Sequence, residues 1–141
     1  MQVTWDTMKA IAGTKAIDLW ILFPLGIGVN RLLRKDANIS TGWQKRLDDF
    51  FGTSEWRDAF YETKSQDSLF GRETKIEKIA NFDSIAKFFV DRLKSIFPGV
   101  AKNPRTLKNS ANTPLYMLCF AAGNERGAKT AVNIAQDILA P

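Results

Sequence analysis

Apolar side chains recur at helical spacing in five stretches of the chain. The first follows Met1 almost at once: Thr4 is a candidate N-cap, and apolar residues after it fall on one helix face. The longest stretch begins at Asp83 and stops before Pro98-Gly99, a pair that ends helices. By this spacing, helices are predicted at 4–15, 42–51, 54–63, 83–97 and 128–138.

The strand predictions rest on two further patterns. Ile17–Phe23 is apolar except for Asp18, and such runs are typical of strands in a parallel sheet that is covered on both faces. Arg105–Lys108 and Leu115–Ala121 are separated by a short polar turn, which indicates an antiparallel pair. The polar stretch Lys64–Glu73 is interpreted as a loop.

This order of elements predicts an α/β architecture for the whole chain. A mostly parallel sheet closed by an antiparallel strand pair is the mark of the class I, S-adenosylmethionine-dependent methyltransferase fold. Because a helix follows Met1 directly, we expect the first strand of a strand–helix–strand unit to lie outside the sequence. The prediction is a single partial domain over 1–141: the C-terminal half of a Rossmann-like fold, with a small mixed sheet and a helical insertion at about 30–98.

Composition narrows the chemistry of this domain. The chain has 141 residues, a net charge of +5 and no histidine, which excludes a Ser-His-Asp triad and any His-ligated metal. Its single cysteine, Cys119, excludes a zinc or iron–sulfur site made by this chain alone. We therefore predict no metal site and assign no catalytic residue. With no membrane-spanning run and no signal peptide pattern, a cytoplasmic protein without membrane contact is expected.

The loop after the first predicted strand is the sharpest candidate for a ligand site. Ligands of open α/β sheets bind outside the carboxyl ends of strands, and Gly26 and Gly28 would let backbone amides approach an anion. Asn30 offers an amide and Arg31 a guanidinium for phosphate or carboxylate. The alternative is that the glycines only turn the chain and that Asn30 caps a helix. The third glycine of a dinucleotide fingerprint is replaced by Arg31.

Nucleic-acid contact is a second possibility raised by the basic residues. Arg57, next to Trp56, could hold a phosphate, although a tryptophan at helical spacing more often belongs to the core. Lys102, Arg105 and Lys108 form a small basic edge near the predicted hairpin. The favoured alternative for these three is protection of a sheet edge from pairing.

Five blocks of the sequence, in this order, resemble the three-Cys-motif partner protein family. The similarity covers nearly the whole chain, and the last block continues into Gly127-Ala128-Lys129. The blocks lie at 5–19, 22–33, 52–57, 93–100 and 112–121.

The resemblance implies a methyltransferase-like protein that binds S-adenosylmethionine and acts beside a three-cysteine-motif protein encoded nearby. Fuller members carry a glycine-rich cofactor loop and an Asp-Pro-Phe-Gly-like segment, and this chain has neither. We therefore expect that this chain binds no cofactor and is inactive alone. The alternatives are an interaction module that docks to a partner or self-associates, and a small RNA- or DNA-binding domain.

Overall fold

The computed structural model describes residues 3–141, which form helices, a four-stranded sheet and a separate two-stranded hairpin. The helices are α1 (Trp5–Gly13), α2 (Thr41–Phe51), α3 (Trp56–Phe60), α4 (Phe82–Lys94) and α5 (Ala128–Leu139), with a π-helix at Leu25–Asn30. The strands are β1 (Leu19–Phe23), β2 (Tyr61–Ser68), β3 (Gly71–Lys78), β4 (Gly99–Val100), β5 (Arg105–Lys108) and β6 (Pro114–Ala122).

Side-chain caps fix where the helices begin. The Thr4 hydroxyl accepts from the Thr7 backbone N–H, which confirms the predicted start of α1. Asn81, and not Asp83, caps α4: its side chain accepts from the Ser84 N–H, and the Ser84 hydroxyl accepts from the Asn81 N–H. This reciprocal arrangement satisfies two backbone donors at once, so the helix begins earlier than predicted.

Every pairing in the four-stranded sheet involves β6, and every pairing is antiparallel. Leu118 lies opposite Leu22 on one side and opposite Arg105 on the other. β1 therefore flanks one edge of β6, and β4 and β5 lie along the other edge. The predicted β5–β6 pair is confirmed. Within the described residues β1 pairs only with the antiparallel β6, so no parallel neighbour of β1 is found among them.

The main core lies between one face of the sheet and helices α1, α2 and α4. Ile21 and Phe23 of β1 enter this core together with a group of stacked phenylalanines. Phe23 stacks on Phe89 with ring centroids 4.3 Å apart, and Phe50 lies 5.5 Å from both rings. A smaller apolar cluster on the opposite sheet face is formed with α5.

The segment predicted as a helical insertion also contains strands. Residues 64–73, predicted as a loop, lie in the β2–β3 hairpin. The helix predicted at 54–63 is shorter: α3 spans Trp56–Phe60, and β2 begins at the next residue. Nearly all side chains of this hairpin are exposed. A strand with solvent on both faces has no alternation of apolar and polar residues, which is the pattern that predicts strands.

Candidate functional site: the free edge of β1

The predicted ligand loop folds as a π-helix directly after β1. The Val29 N–H donates to the Pro24 carbonyl at 2.9 Å, a bond that spans five residues. Turns of this kind are rare and occur often at functional sites. The loop lies at the carboxyl end of β1, as the sequence predicts, although all strand pairs of the described four-stranded sheet are antiparallel.

The four residues of this loop are not brought together around one ligand position. Gly26 packs against the Pro114 backbone, and Gly28 lies close to the Pro24 ring. The Asn30 side-chain oxygen accepts from the Lys78 ammonium at 2.8 Å. Arg31 is exposed to solvent. Close packing accounts for both glycines, and the ligand role of the four residues stays a prediction.

An apolar cleft of about 360 Å³ lies at the C-terminal end of β1. It is lined by Ile21 and Leu22 of β1 and by Tyr116 of β6. Its other lining residues are Val3, Pro24, Ile27, Gly28 and Phe50.

The sheet face that carries α5 is open beside β1. Trp20 and Leu22 point to this face, because they lie opposite Phe120 and Leu118, and 43% and 48% of their surface is exposed. The expectation that β1 is covered on both faces is therefore wrong in the described structure. α5 covers Phe120 and leaves the β1 side of this face open to solvent.

Two exposed isoleucines of α5 extend this open surface. Gln136 accepts from the Lys102 backbone N–H at 3.1 Å, so its flank of the helix faces the segment between β4 and β5. Ile134 and Ile138 are each two residues from Gln136, about 200° around the helix, and so lie on the opposite flank, towards β1. Both are more than half exposed. We call Trp20, Leu22, Ile134 and Ile138 the apolar flank.

The two edge strands of the sheet differ in charge and hydrophobicity. β1 consists of Leu-Trp-Ile-Leu-Phe and has no charged residue. β5 at the other edge carries Arg105 and Lys108, and all its residues are exposed. Charged edge strands resist pairing with other chains, whereas a long apolar edge invites it. The open edge at β1 is thus the edge that is suited to a partner.

The predicted nucleic-acid residues lie in different parts of the fold. The Arg57 guanidinium is 3.1 Å from the Asp48 carboxylate and stacks on the Trp56 ring. Trp56 itself is buried, which confirms the packing interpretation. Lys102 precedes β5, and the Arg105 guanidinium donates to the Ala140 carbonyl at the end of α5. Lys108 lies at the end of β5, so Arg57 stands apart from the other three.

Cys119 is a buried core residue, and the acidic residues of the described part of the chain form no metal-binding cluster. Burial raises the pKa of the Cys119 thiol to about 12, and the side chain lies in the main core. A thiol in this state is a packing residue and a poor nucleophile. Within residues 3–141, no three Cys, Asp or Glu side chains converge on a point that could hold a metal ion.

Comparison of the chain with known proteins adds no assignment. No protein-family model, curated protein or solved structure matches it. In the described part of the chain, none of the helices is long and apolar enough to cross a bilayer.

Proposed function

We propose that this chain is the C-terminal part of a methyltransferase-like protein of the three-Cys-motif partner type, and that the edge of β1 docks onto the part that binds the cofactor. The observation that carries the proposal is the free, uncharged edge of β1 beside the apolar flank. A strand added to this edge would satisfy the unpaired backbone groups of β1 and bury Trp20 and Leu22.

The strand directions support the methyltransferase-like part of this proposal. β1 and β5 are both antiparallel to β6, so they run in the same direction as each other. β6 is thus a single strand of reversed direction, with β1 on one side and β4 and β5 on the other, and it lies near the C-terminus of the chain. A further strand parallel to β1 would give the mostly parallel sheet that closes with an antiparallel pair.

The exposed apolar flank favours docking to a partner over a stable isolated domain. Trp20, Leu22, Ile134 and Ile138 each expose at least 43% of their surface, and Trp20 and Leu22 point to the sheet face on which α5 packs. Exposed large apolar side chains that share one face are typical of sites of protein association. The proposed occupant is an α/β part that supplies a strand for β1 and a helix for the apolar flank. The rival within this proposal is a second copy of the chain, paired edge to edge.

We expect the wild-type chain to self-associate at low micromolar concentration, because no complementary part competes for β1 in a purified sample. Leu22→Lys places a charge on the exposed face of β1 and should weaken association at least about tenfold, or roughly 1.4 kcal/mol. Sedimentation velocity measures both. The matched control is Leu69→Lys at the fully exposed tip of the β2–β3 hairpin.

The control also decides between two surfaces. If Leu69→Lys dissociates the assembly and Leu22→Lys does not, the hairpin tip is the docking surface and the proposal is wrong. A wild-type chain that sediments as a monomer and resists proteolysis would also count against it.

We expect no binding of S-adenosylmethionine to the isolated chain. The proposal assigns the glycine-rich cofactor loop to the docking partner, so the pocket would be completed only in the assembly. Isothermal titration calorimetry with S-adenosylmethionine tests this expectation. Binding with a micromolar Kd would show that this chain has a cofactor site of its own. That result would contradict the proposal that the docking partner supplies the cofactor-binding residues.

A further inference from the structure

A second groove, remote from β1 in the sequence, lies along the outer edge of β3. It has a volume of about 840 Å³ and is formed by β3, Ala80 and the segment that follows the π-helix. Two hydrogen bonds hold that segment against the hairpin: the Lys78 N–H donates to the Lys35 carbonyl at 3.3 Å, and the Tyr61 hydroxyl donates to the Arg34 carbonyl at 2.7 Å. Both walls of the groove are therefore tied together.

Both carboxylates of the groove are already paired with cations. Asp36 is within 3.4 Å of the Arg34 guanidinium, and it also accepts from the Asn38 N–H. Glu77 lies 3.1 Å from Lys64 and 3.5 Å from Lys75. Neither carboxylate is within ion-pair distance of the two remaining lysines of the groove.

Those two lysines, Lys35 and Lys78, form no ion pair with any carboxylate of the described residues. The Lys78 ammonium is half-buried, and its contacts are the neutral oxygens of Asn30, at 2.8 Å for the side chain and 3.5 Å for the carbonyl. Burial and the adjacent Lys35 ammonium lower the pKa of Lys78. Two neighbouring cations without a counter-charge form a site that an anion would stabilise.

Backbone donors point into the same groove. Opposed residues of an antiparallel pair alternate between hydrogen-bonded and non-hydrogen-bonded pairs. The Lys78 N–H points away from β2, towards Lys35, so the N–H groups of Ile76 and Thr74 point outwards too. The outer edge of β3 thus adds neutral donors to the two ammonium groups.

We propose that this groove binds the phosphate group of a small phosphorylated molecule, held by the ammonium groups of Lys35 and Lys78 and by N–H groups of β3. Lysine binds phosphate as a point charge, and edge N–H groups bind anions through hydrogen bonds. The groove is larger than a phosphate ion and falls within the usual range of small-molecule sites, which leaves room for the organic part of the ligand. This site does not depend on the docking proposed for β1.

The test is a titration of the ¹⁵N-labelled chain with sodium phosphate, against sodium chloride of equal ionic strength. We expect saturable shifts of the amide signals of Thr74, Ile76 and Lys78 with phosphate only. Lys78→Gln and Lys35→Gln should each raise the Kd for phosphate about tenfold. Lys129→Gln on α5 is the matched control, since it removes an exposed lysine elsewhere and should leave the Kd unchanged.

Lys35→Gln keeps the experiment decisive if Lys78→Gln fails to fold, because the Lys35 side chain is exposed and only its backbone carbonyl bonds to the hairpin. Shifts that are the same in chloride, or a Kd unaffected by Lys35→Gln, would overturn the proposal. A single-stranded oligonucleotide is the second arm of the test. Binding of the oligonucleotide without binding of phosphate would assign the groove to nucleic acid and would also overturn it.

Discussion

Replacing Phe23 with alanine should lower the free energy of unfolding by about 3–5 kcal/mol. The Phe23 ring is fully buried, stacks on Phe89 and contacts Phe50 and Phe51. Its removal takes away apolar contacts from α2 and α4 at the same time and leaves a cavity between the sheet and these helices. Urea unfolding followed by tryptophan fluorescence measures the change.

Phe70→Ala provides the matched control for this substitution. Phe70 lies at the tip of the β2–β3 hairpin and exposes 97% of its surface, so the same truncation removes almost no packing. The expected change is within about 0.5 kcal/mol. Equal effects of the two substitutions would mean that the phenylalanine cluster is not the centre of the core.

Gly26→Ala should destabilise the fold by about 1–3 kcal/mol, since the added methyl group overpacks a tight contact. A Cβ at this position would collide with the carbonyl oxygen of Pro114 and would lie 2.9 Å from its carbonyl carbon. These are backbone atoms at the start of the central strand β6, so they cannot rotate away. Thermal unfolding followed by circular dichroism measures the effect.

Gly13→Ala is the opposite case. Gly13 ends α1, and a Cβ there would meet no atom within 4 Å. Alanine has the higher helix propensity, so the substitution should stabilise the chain by up to about 1 kcal/mol. If Gly26→Ala were equally well tolerated, close packing would not explain the glycine at position 26. The predicted ligand role of the loop would then be the better explanation.

Local patterns predict the elements whose burial is one-sided. α1, α4 and α5 each bury one stripe of apolar residues, and the β5–β6 pair is marked by its polar turn. Local patterns do not predict an element when its exposure to solvent depends on distant parts of the chain. β2 and β3 have solvent on both sides, so their strands carry no alternation. β1 is apolar throughout, and the sequence does not reveal that one of its faces is open.

The two candidate sites also differ in whether local sequence features reveal them. The loop after β1 was identified because glycines and a strand end are local features. The bond between Lys78 and Asn30 joins residues 48 positions apart, and no local signal relates them. An unpaired lysine can be recognised only when the partners of all neighbouring carboxylates are known. The groove along β3 was therefore missed by sequence reasoning.

The place of β6 in the chain has a consequence for biosynthesis. All pairings of the four-stranded sheet involve this strand, which is the last strand in the sequence, and the Gly123 N–H reaches back 105 residues to the Asp18 side chain. During translation, β1 therefore leaves the ribosome long before β6, its partner in the four-stranded sheet, has been made. While the segments between β1 and β6 are being made, the nascent chain carries an apolar strand that lacks its β6 partner, and chaperones can protect this strand from aggregation in that interval.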